Sequence, residues 1–219
     1  MDPQLKTAIQ QMLTGLGATA PGFLSSAVSP KLYEIYVLSL LVRSLEMIGA
    51  TFAVRDSSGN PTTRLRFRLA PGRIYSPSTA SGFVLVNYNG RRFEIQNGVR
   101  VTGTSGILHE LDVSLIDHEK AEHCRNNQAD PSAKNVSCLI ECKFYGGDLD
   151  LHLGREFVGL AKEFSVRIRS FASNEASSSV AKLIKKHGGF ENFHLSPVNL
   201  PYVNDRFVPW LAEQLRQSL

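Results

Sequence analysis

Two apolar segments in the middle of the chain carry ionisable residues that buried β-strands normally avoid. Residues 107–116 contain Asp112, and residues 136–144 contain Glu141 and Lys143. Burying a carboxylate or an ammonium group costs several kcal/mol unless the charges compensate one another or hold a metal ion. The two segments therefore predict neighbouring strands that bring these charges into one shared site.

Composition and length limit what surrounds such a site. The chain has 219 residues, of which 42% are hydrophobic and 20% are charged, and this balance predicts one globular domain with a buried core. The net charge of +4 permits a polyanionic partner without requiring one. The three cysteines lack the spacing of a disulfide framework, and the sequence has neither a long apolar run nor a signal-peptide pattern. We therefore expect a cytoplasmic protein that does not enter a membrane.

Helical spacing of apolar residues predicts a long helix early in the chain. Ser29 followed by Pro30 is typical of a helix start, with the serine as N-cap, and apolar residues continue over residues 30–48. Glu34 lies near the N-terminal end of this helix, where the helix dipole favours a carboxylate, so it is either a surface residue or part of the site. Other helices are predicted over residues 3–13, 153–164 and 180–187 and in the tail after Asp205.

Alternating patterns predict several strands besides the two central ones. The Asn89-Gly90 pair between residues 83–88 and 91–96 is a strong hairpin signal. In residues 64–69, three arginines alternate with apolar residues, which favours a solvated strand face over a row of phosphate contacts. The polar residues 117–135 are expected to form a surface excursion with one helical turn. Further strands are predicted over residues 50–55, 99–102, 166–169 and 190–198.

These elements predict an α/β fold in which helices flank a central mixed β-sheet. We expect an N-terminal helical arm and linker over residues 1–28, a main domain over residues 29–200 and a C-terminal capping helix over residues 201–219. The arm and the tail are candidate surfaces for a second copy of the chain or for a partner subunit.

Asp112 and Glu141 have the character of ligands for a hard divalent cation. Mg²⁺ prefers oxygen ligands and is held by one or two carboxylates, a number that the two strands supply. The backbone carbonyl of Cys142 is available as a third ligand. Lys143 lies two residues from Glu141 and so on the same strand face, where its ammonium can position or help to deprotonate an attacking water. Such a set of residues is suited to hydrolysis of a phosphodiester bond.

Asp112 together with Glu141-Cys142-Lys143 resembles the signature of the PD-(D/E)xK nuclease superfamily, to which restriction endonucleases and Holliday-junction resolvases belong. The order of an early helix, a strand with the aspartate, a strand with Glu-x-Lys and a following helix is also similar. The resemblance implies a restriction-endonuclease-like core and catalytic roles for Asp112, Glu141 and Lys143. It further implies an acid on the early helix, a position that Glu34 matches.

The same resemblance implies a metal-dependent endonuclease that hydrolyses DNA phosphodiester bonds, with Mg²⁺ as the cofactor and Mn²⁺ as a substitute. Its implied partner is double-stranded DNA, its implied setting is restriction or anti-phage defence, and a homodimer or a partner subunit suits two cuts in two strands. Leu111 departs from the family pattern, which has proline before the aspartate. Glu110 shares the strand face of Asp112, so either acid can be the metal ligand, and Asp112 is preferred.

Other interpretations of these residues stay open. Glu141 and Lys143 can instead form a surface ion pair on an edge strand. The chain can also be a nucleic-acid-binding or assembly protein that keeps the site without catalysis, or an RNA-processing or DNA-repair nuclease. His118, His123 and the cysteines lack the close ligand spacing of a structural zinc site. Cys142 is expected to be a core residue rather than a nucleophile.

Overall fold

A seven-stranded mixed sheet forms the centre of the computed structural model, which describes residues 2–76 and 81–219. Its strands are β1 (Thr51–Arg55), β2 (Phe83–Tyr88), β3 (Arg91–Thr102), β4 (Leu108–Asp117), β5 (Val136–Lys143), β6 (Ile168–Ser173) and β7 (Phe190–Asn192). They lie across the sheet in chain order. The strands from β1 to β5 pair antiparallel, whereas β5, β6 and β7 pair parallel. The predicted hairpin between β2 and β3 is confirmed.

Helices cover both faces of this sheet. They are α1 (Asp2–Gly15), α2 (Phe23–Ser26), α3 (Ser29–Met47), α4 (His118–Asn126), α5 (Leu151–Glu163), α6 (Ser178–Lys186), α7 (Leu200–Tyr202) and α8 (Val208–Ser218), with a π-helical turn at Val203–Phe207. One hydrophobic core contains side chains of α1, α3 and α8, and a second contains side chains of α4, α5 and α6. Helices α5 and α6 also supply the crossover connections that parallel strands require. The predicted α/β fold with helices around a central mixed sheet is therefore confirmed.

Helix α3 is the main helix of the first core and lies across β4 and β5. The predicted helix over residues 30–48 is confirmed within one residue at each end. The predicted N-cap is wrong, because Val28 takes the cap position and the Ser29 hydroxyl donates to Asp2 of α1 over 3.0 Å. Within residues 2–76 and 81–219, no helix combines the length and the apolar character needed to cross a lipid bilayer.

The predicted strand over residues 64–69 is wrong. This segment is irregular, and Arg64 forms a bridge with Thr19 near the first helices. Arg68 is 4% exposed, and its guanidinium donates to the side chain of Gln96 over 2.8 Å. The expected solvated row of three arginines holds for Arg64 and Arg66, which are exposed, but it is wrong for Arg68, because the end of the segment packs against β3.

Three other predictions change in extent. The strands expected over residues 91–96 and 99–102 are one strand, because Gly98 adopts a φ of 54° and carries the chain through an irregularity without ending the strand. The last strand ends at Asn192, well short of residue 198, and His194 with a φ of 56° turns the chain away. The helical turn expected after β4 is a nine-residue helix, since the Asp117 side chain accepts a hydrogen bond from the Lys120 N–H and caps α4.

Candidate active site

Strands β4 and β5 separate at the site that the sequence predicts. Their pairing ends with Val113 opposite Ile140, so Asp112 and Glu141 are the first residues beyond the paired segment. The backbone N–H of Cys142 donates to Asp112 Oδ2 over 2.8 Å. The Asp112 carboxylate thus accepts the hydrogen bond that a backbone carbonyl of β4 would accept if the pairing of the two strands continued. The contact holds Asp112 beside the strand that carries Glu141.

Lys143 and Glu141 form an ion pair inside the molecule. Lys143 Nζ lies 2.7 Å from Glu141 Oε1, and their side chains are 21% and 14% exposed. Strand β5 has β4 on one side and β6 on the other, so it is a central strand. The alternative of a surface ion pair on an edge strand is therefore wrong.

Helix α3 brings a third acid over these strands. Glu34 is 6% exposed, which excludes the interpretation of a surface residue near a helix end. Lys31 Nζ lies 2.7 Å from Glu34 Oε1 and 3.6 Å from Glu110 Oε1. Lys31 therefore links α3 to the start of β4. We call Glu34, Glu110, Asp112 and Glu141 the acidic cluster.

Burial raises the pKa of every carboxyl group in the acidic cluster. The pKa of Glu34 rises to about 8 and that of Glu141 to about 7, in each case through burial first and through repulsion by the Asp112 carboxylate second. The pKa values of Asp112 and Glu110 also rise, chiefly through burial. These carboxylates therefore lie close enough to one another to interact electrostatically. Burial and mutual repulsion thus favour the protonated acids, and a bound cation would instead stabilise their ionised forms.

Two lysines already compensate part of this charge. Burial lowers the pKa of Lys143, but the Glu141 and Asp112 carboxylates outweigh burial and raise it above the usual lysine value. Burial opposes ionisation of Lys31 in the same way, and Glu34 and Glu110 again make the net shift of its pKa upward. Both side chains are therefore ammonium ions at neutral pH. In this arrangement Lys143 is a hydrogen-bond donor rather than a proton acceptor.

The donor chemistry of the acidic cluster fits a hard divalent cation, because Mg²⁺ prefers carboxylate oxygens. Across the part of the chain that the structure describes, no three His, Cys, Asp or Glu side chains stand ready to hold a metal ion. Two of the acids are instead paired with lysines, Glu141 with Lys143 and Glu34 with Lys31. Binding of a metal ion to these acids requires the lysine contacts to loosen.

The remaining candidates lie elsewhere or serve the core. Cys142 is 8% exposed in the first core, and burial raises the pKa of its thiol well above the usual value, so the prediction of a core residue is confirmed. The residues considered for zinc are dispersed, because His118 binds Glu94 while Cys138 and Cys124 lie in different cores. Whether the Cys142 carbonyl is a ligand stays a prediction.

The sequence interpretation missed Lys31 and a second charged network. Lys31 stands three residues before Glu34, a helical spacing at which side chains meet, and this spacing was the available signal. The second network surrounds Glu94, which is fully buried on β3 and receives hydrogen bonds from Arg125 and Gln96 over 2.8 and 2.7 Å. His118 Nδ1 lies 2.7 Å from the same carboxylate. With these partners in place, the network joins α4 to the sheet.

A groove of about 750 Å³ lies between α1, α3 and the segment around α7. Its lining is largely apolar and includes none of the acids of the acidic cluster. The groove and the acidic cluster are thus separate features, and the buried charges single out the cluster as the candidate for chemistry.

Comparisons of the chain with protein-family models, with curated proteins and with solved structures found no match. The function is therefore inferred from the site itself and from the resemblance of its motif.

Proposed function

We propose that this chain is a metal-dependent endonuclease of the PD-(D/E)xK superfamily, with a restriction-endonuclease-like fold, that hydrolyses DNA phosphodiester bonds. One observation carries the proposal: Asp112, Glu141 and Lys143 come together where β4 and β5 separate. The order of α3, β4, β5 and α5 along the chain supports it, because it matches the order that the motif resemblance implies. Buried carboxylates with raised pKa values are typical of functional sites.

Each residue of the site has a distinct role in this proposal. Asp112 and Glu141, with the carbonyl of Cys142, would hold Mg²⁺, or Mn²⁺ in its place. The bound ion supplies polarisation of the phosphate and a lowered pKa of water. The Lys143 ammonium orients the attacking water and offsets the charge that develops on the phosphate. Glu34 is an auxiliary acid that reaches the same space from α3.

The proposed substrate is double-stranded DNA and the proposed setting is restriction or anti-phage defence. The motif resemblance supports both, and the net charge of +4 is compatible with a polyanionic substrate. A homodimer or a partner subunit would place two such sites on the two strands of a duplex.

One observation favours a second candidate function. The acids of the cluster are held by lysines rather than arranged as ready metal ligands. That state is also expected of a nucleic-acid-binding or assembly protein that has kept the charges without catalysis. A cleavage assay separates the two functions, and an RNA substrate in the same assay tests for an RNA-processing enzyme.

The test incubates the purified chain with plasmid, single-stranded DNA and RNA, in Mg²⁺, Mn²⁺ or EDTA. We expect Mg²⁺-dependent cleavage of plasmid that falls by at least about 100-fold in Lys143→Met, because a charge-stabilising donor is lost. Lys185→Met is the matched control, since Lys185 lies on the exposed part of α6 and also forms a 2.7 Å pair with a glutamate, Glu191 of β7. The control should cleave at the normal rate. Cleavage that persists in EDTA, or at full rate in Lys143→Met, would remove the proposed mechanism.

A further inference from the structure

Helices α5 and α6 lie side by side over the second core and carry cations on their outer sides. The two helices run in the same direction, since each connects a pair of parallel strands. They approach closely at Gly154 and Val180, where a Cβ added to the glycine would lie only 3.1 Å from Val180 Cγ1. The outer sides of the two helices therefore form one continuous surface.

Four exposed cations on this surface have no acid at ion-pair distance in the part of the chain that the structure describes. We call them the basic face, and its members are Arg155 and Lys162 on α5 with Lys182 and Lys186 on α6. Lys185 is not a member, because it pairs with Glu191 of β7 over 2.7 Å and so turns away from α5.

The acids beside the basic face belong to α5 and its N-cap, since α6 has none. Glu163 accepts a hydrogen bond from the backbone N–H of Ser105 over 2.9 Å. Glu156 acts on Lys143 of the candidate site, and its position lies about 100° around the helix from Arg155. Asp150 caps α5. The basic face therefore keeps a net positive charge.

Gly159 gives an independent indication that a partner approaches α5. It lies in the middle of the helix and shares one stripe with Arg155 and Lys162, at positions i, i+4 and i+7. A glycine inside a helix lowers helix stability relative to alanine. Packing against the described chain does not require this glycine, because a Cβ added to it would have no atom within 4 Å. Bare backbone between two cations allows a ligand to come close to the helix.

The spacing and the position of the basic face suit a nucleic-acid backbone. Arg155 and Lys162 are separated by about 10 Å along the helix axis, which is the length of about three base pairs of DNA. The face begins beside the candidate site, because Arg155 adjoins Glu156, which acts on Lys143. A duplex lying along α5 would thus extend to that site.

We propose that the basic face binds the phosphate backbone of duplex DNA and holds the duplex along α5 and α6, next to Lys143. The choice of DNA rests on the proposed function, whereas binding to the face requires no cleavage. Its four members act as backbone contacts that hold the duplex without reading its sequence.

The test measures binding of a short fluorescent duplex by anisotropy, in EDTA and over a range of KCl concentrations. Four phosphate contacts predict a slope of about −3.6 for the logarithm of the association constant against the logarithm of salt concentration. Lys182→Gln combined with Lys186→Gln should reduce the slope to about −1.8 and weaken binding by about 10-fold or more at about 0.1 M salt. Lys6→Gln combined with Arg206→Gln removes the same charge on the first-core side, so this control should bind as the wild type does.

A glycine variant tests the close approach to α5. Gly159→Gln should keep or raise Tm, because its side chain meets open space, and it should weaken duplex binding several-fold. Gly15→Gln is the matched control at the end of α1, where an added Cβ also meets open space, and it should leave binding unchanged. Unchanged binding by a folded Gly159→Gln would overturn the inference.

The other outcomes separate the inference from the proposed function. An unchanged slope in the double lysine variant, or an equal loss in its control, overturns the inference and leaves the proposed nuclease intact. Absence of duplex binding by the wild type, or tighter binding to RNA or to phosphatidylserine vesicles, also overturns it. Duplex binding through the basic face without cleavage supports the inference and removes the proposed nuclease in favour of a nucleic-acid-binding protein.

Discussion

Replacing Glu34 by glutamine should change the dependence of stability on pH. The pKa of Glu34 is about 8 in the folded protein against 4.5 for an unperturbed glutamic acid, so the folded state binds the proton more tightly than the unfolded state does. Raising the pH between these two values therefore removes stability. Each pH unit in that window costs about 1.4 kcal/mol, which amounts to about 3 kcal/mol between pH 5.5 and pH 8.

Glutamine mimics the protonated acid and cannot ionise, so the variant should lack this cost. The free energy of unfolding of Glu34→Gln minus that of the wild type should therefore be about 3 kcal/mol larger at pH 8 than at pH 5.5. Taking the difference between the two proteins at each pH cancels the contribution of groups that titrate alike in both. Urea unfolding in EDTA, followed by circular dichroism at several pH values, measures this difference.

Glu213→Gln is the matched control for this experiment. Glu213 also pairs with a basic residue three positions away, Arg216, but on the exposed side of α8. Its removal should shift stability by less than about 0.5 kcal/mol at every pH. If the difference between Glu34→Gln and the wild type stays constant with pH, burial and repulsion by Asp112 do not control the protonation of Glu34, and the reasoning is refuted.

Two further predictions concern metal binding and the network on β3. Millimolar Mg²⁺ or Mn²⁺ should raise Tm more at pH 8 than at pH 5.5, because Glu141, with a pKa of about 7, is mostly ionised only at the higher pH. Asp112→Asn should abolish this difference between the two pH values. Equal increases in Tm for both proteins would place the bound ion elsewhere. Glu94→Gln should lower the free energy of unfolding by about 3–5 kcal/mol in urea, since it leaves the buried Arg125 without its carboxylate. Glu119→Gln on the exposed side of α4 is the control, and a loss as small as its own would contradict the structural role of Glu94.

The acidic cluster could be predicted only in part from the sequence. Asp112, Glu141 and Lys143 stand out because an ionisable side chain in an apolar strand must be compensated by another charge or by a metal ion. Such a side chain is visible in the sequence of its own strand. For Glu34 the sequence leaves both a surface role and a site role open, since helix position alone does not reveal burial. Its 6% exposure follows from the packing of α3 across β4 and β5, which no local pattern encodes.

Two of the failed fold predictions share one physical cause. In residues 64–69, the alternation of arginines and apolar residues has strand period, yet Arg68 is buried because Gln96 on a distant strand supplies a hydrogen-bond partner. The predicted break within β3 did not end the strand, because the neighbouring strand pairs with residues on both sides of Gly98. In both places a tertiary contact overrode the local pattern.

The sequence by itself determined the α/β class, the hairpin at Asn89-Gly90 and the chemistry of the central strands, because periodicity, turn residues and buried charge are properties of short segments. The tertiary structure decided which charges meet. Only the approach of α3 to β4 sets Lys31 between Glu34 and Glu110, residues far apart along the chain. The charge balance of the site depends on that approach, because electrostatic compensation is set by distance in space.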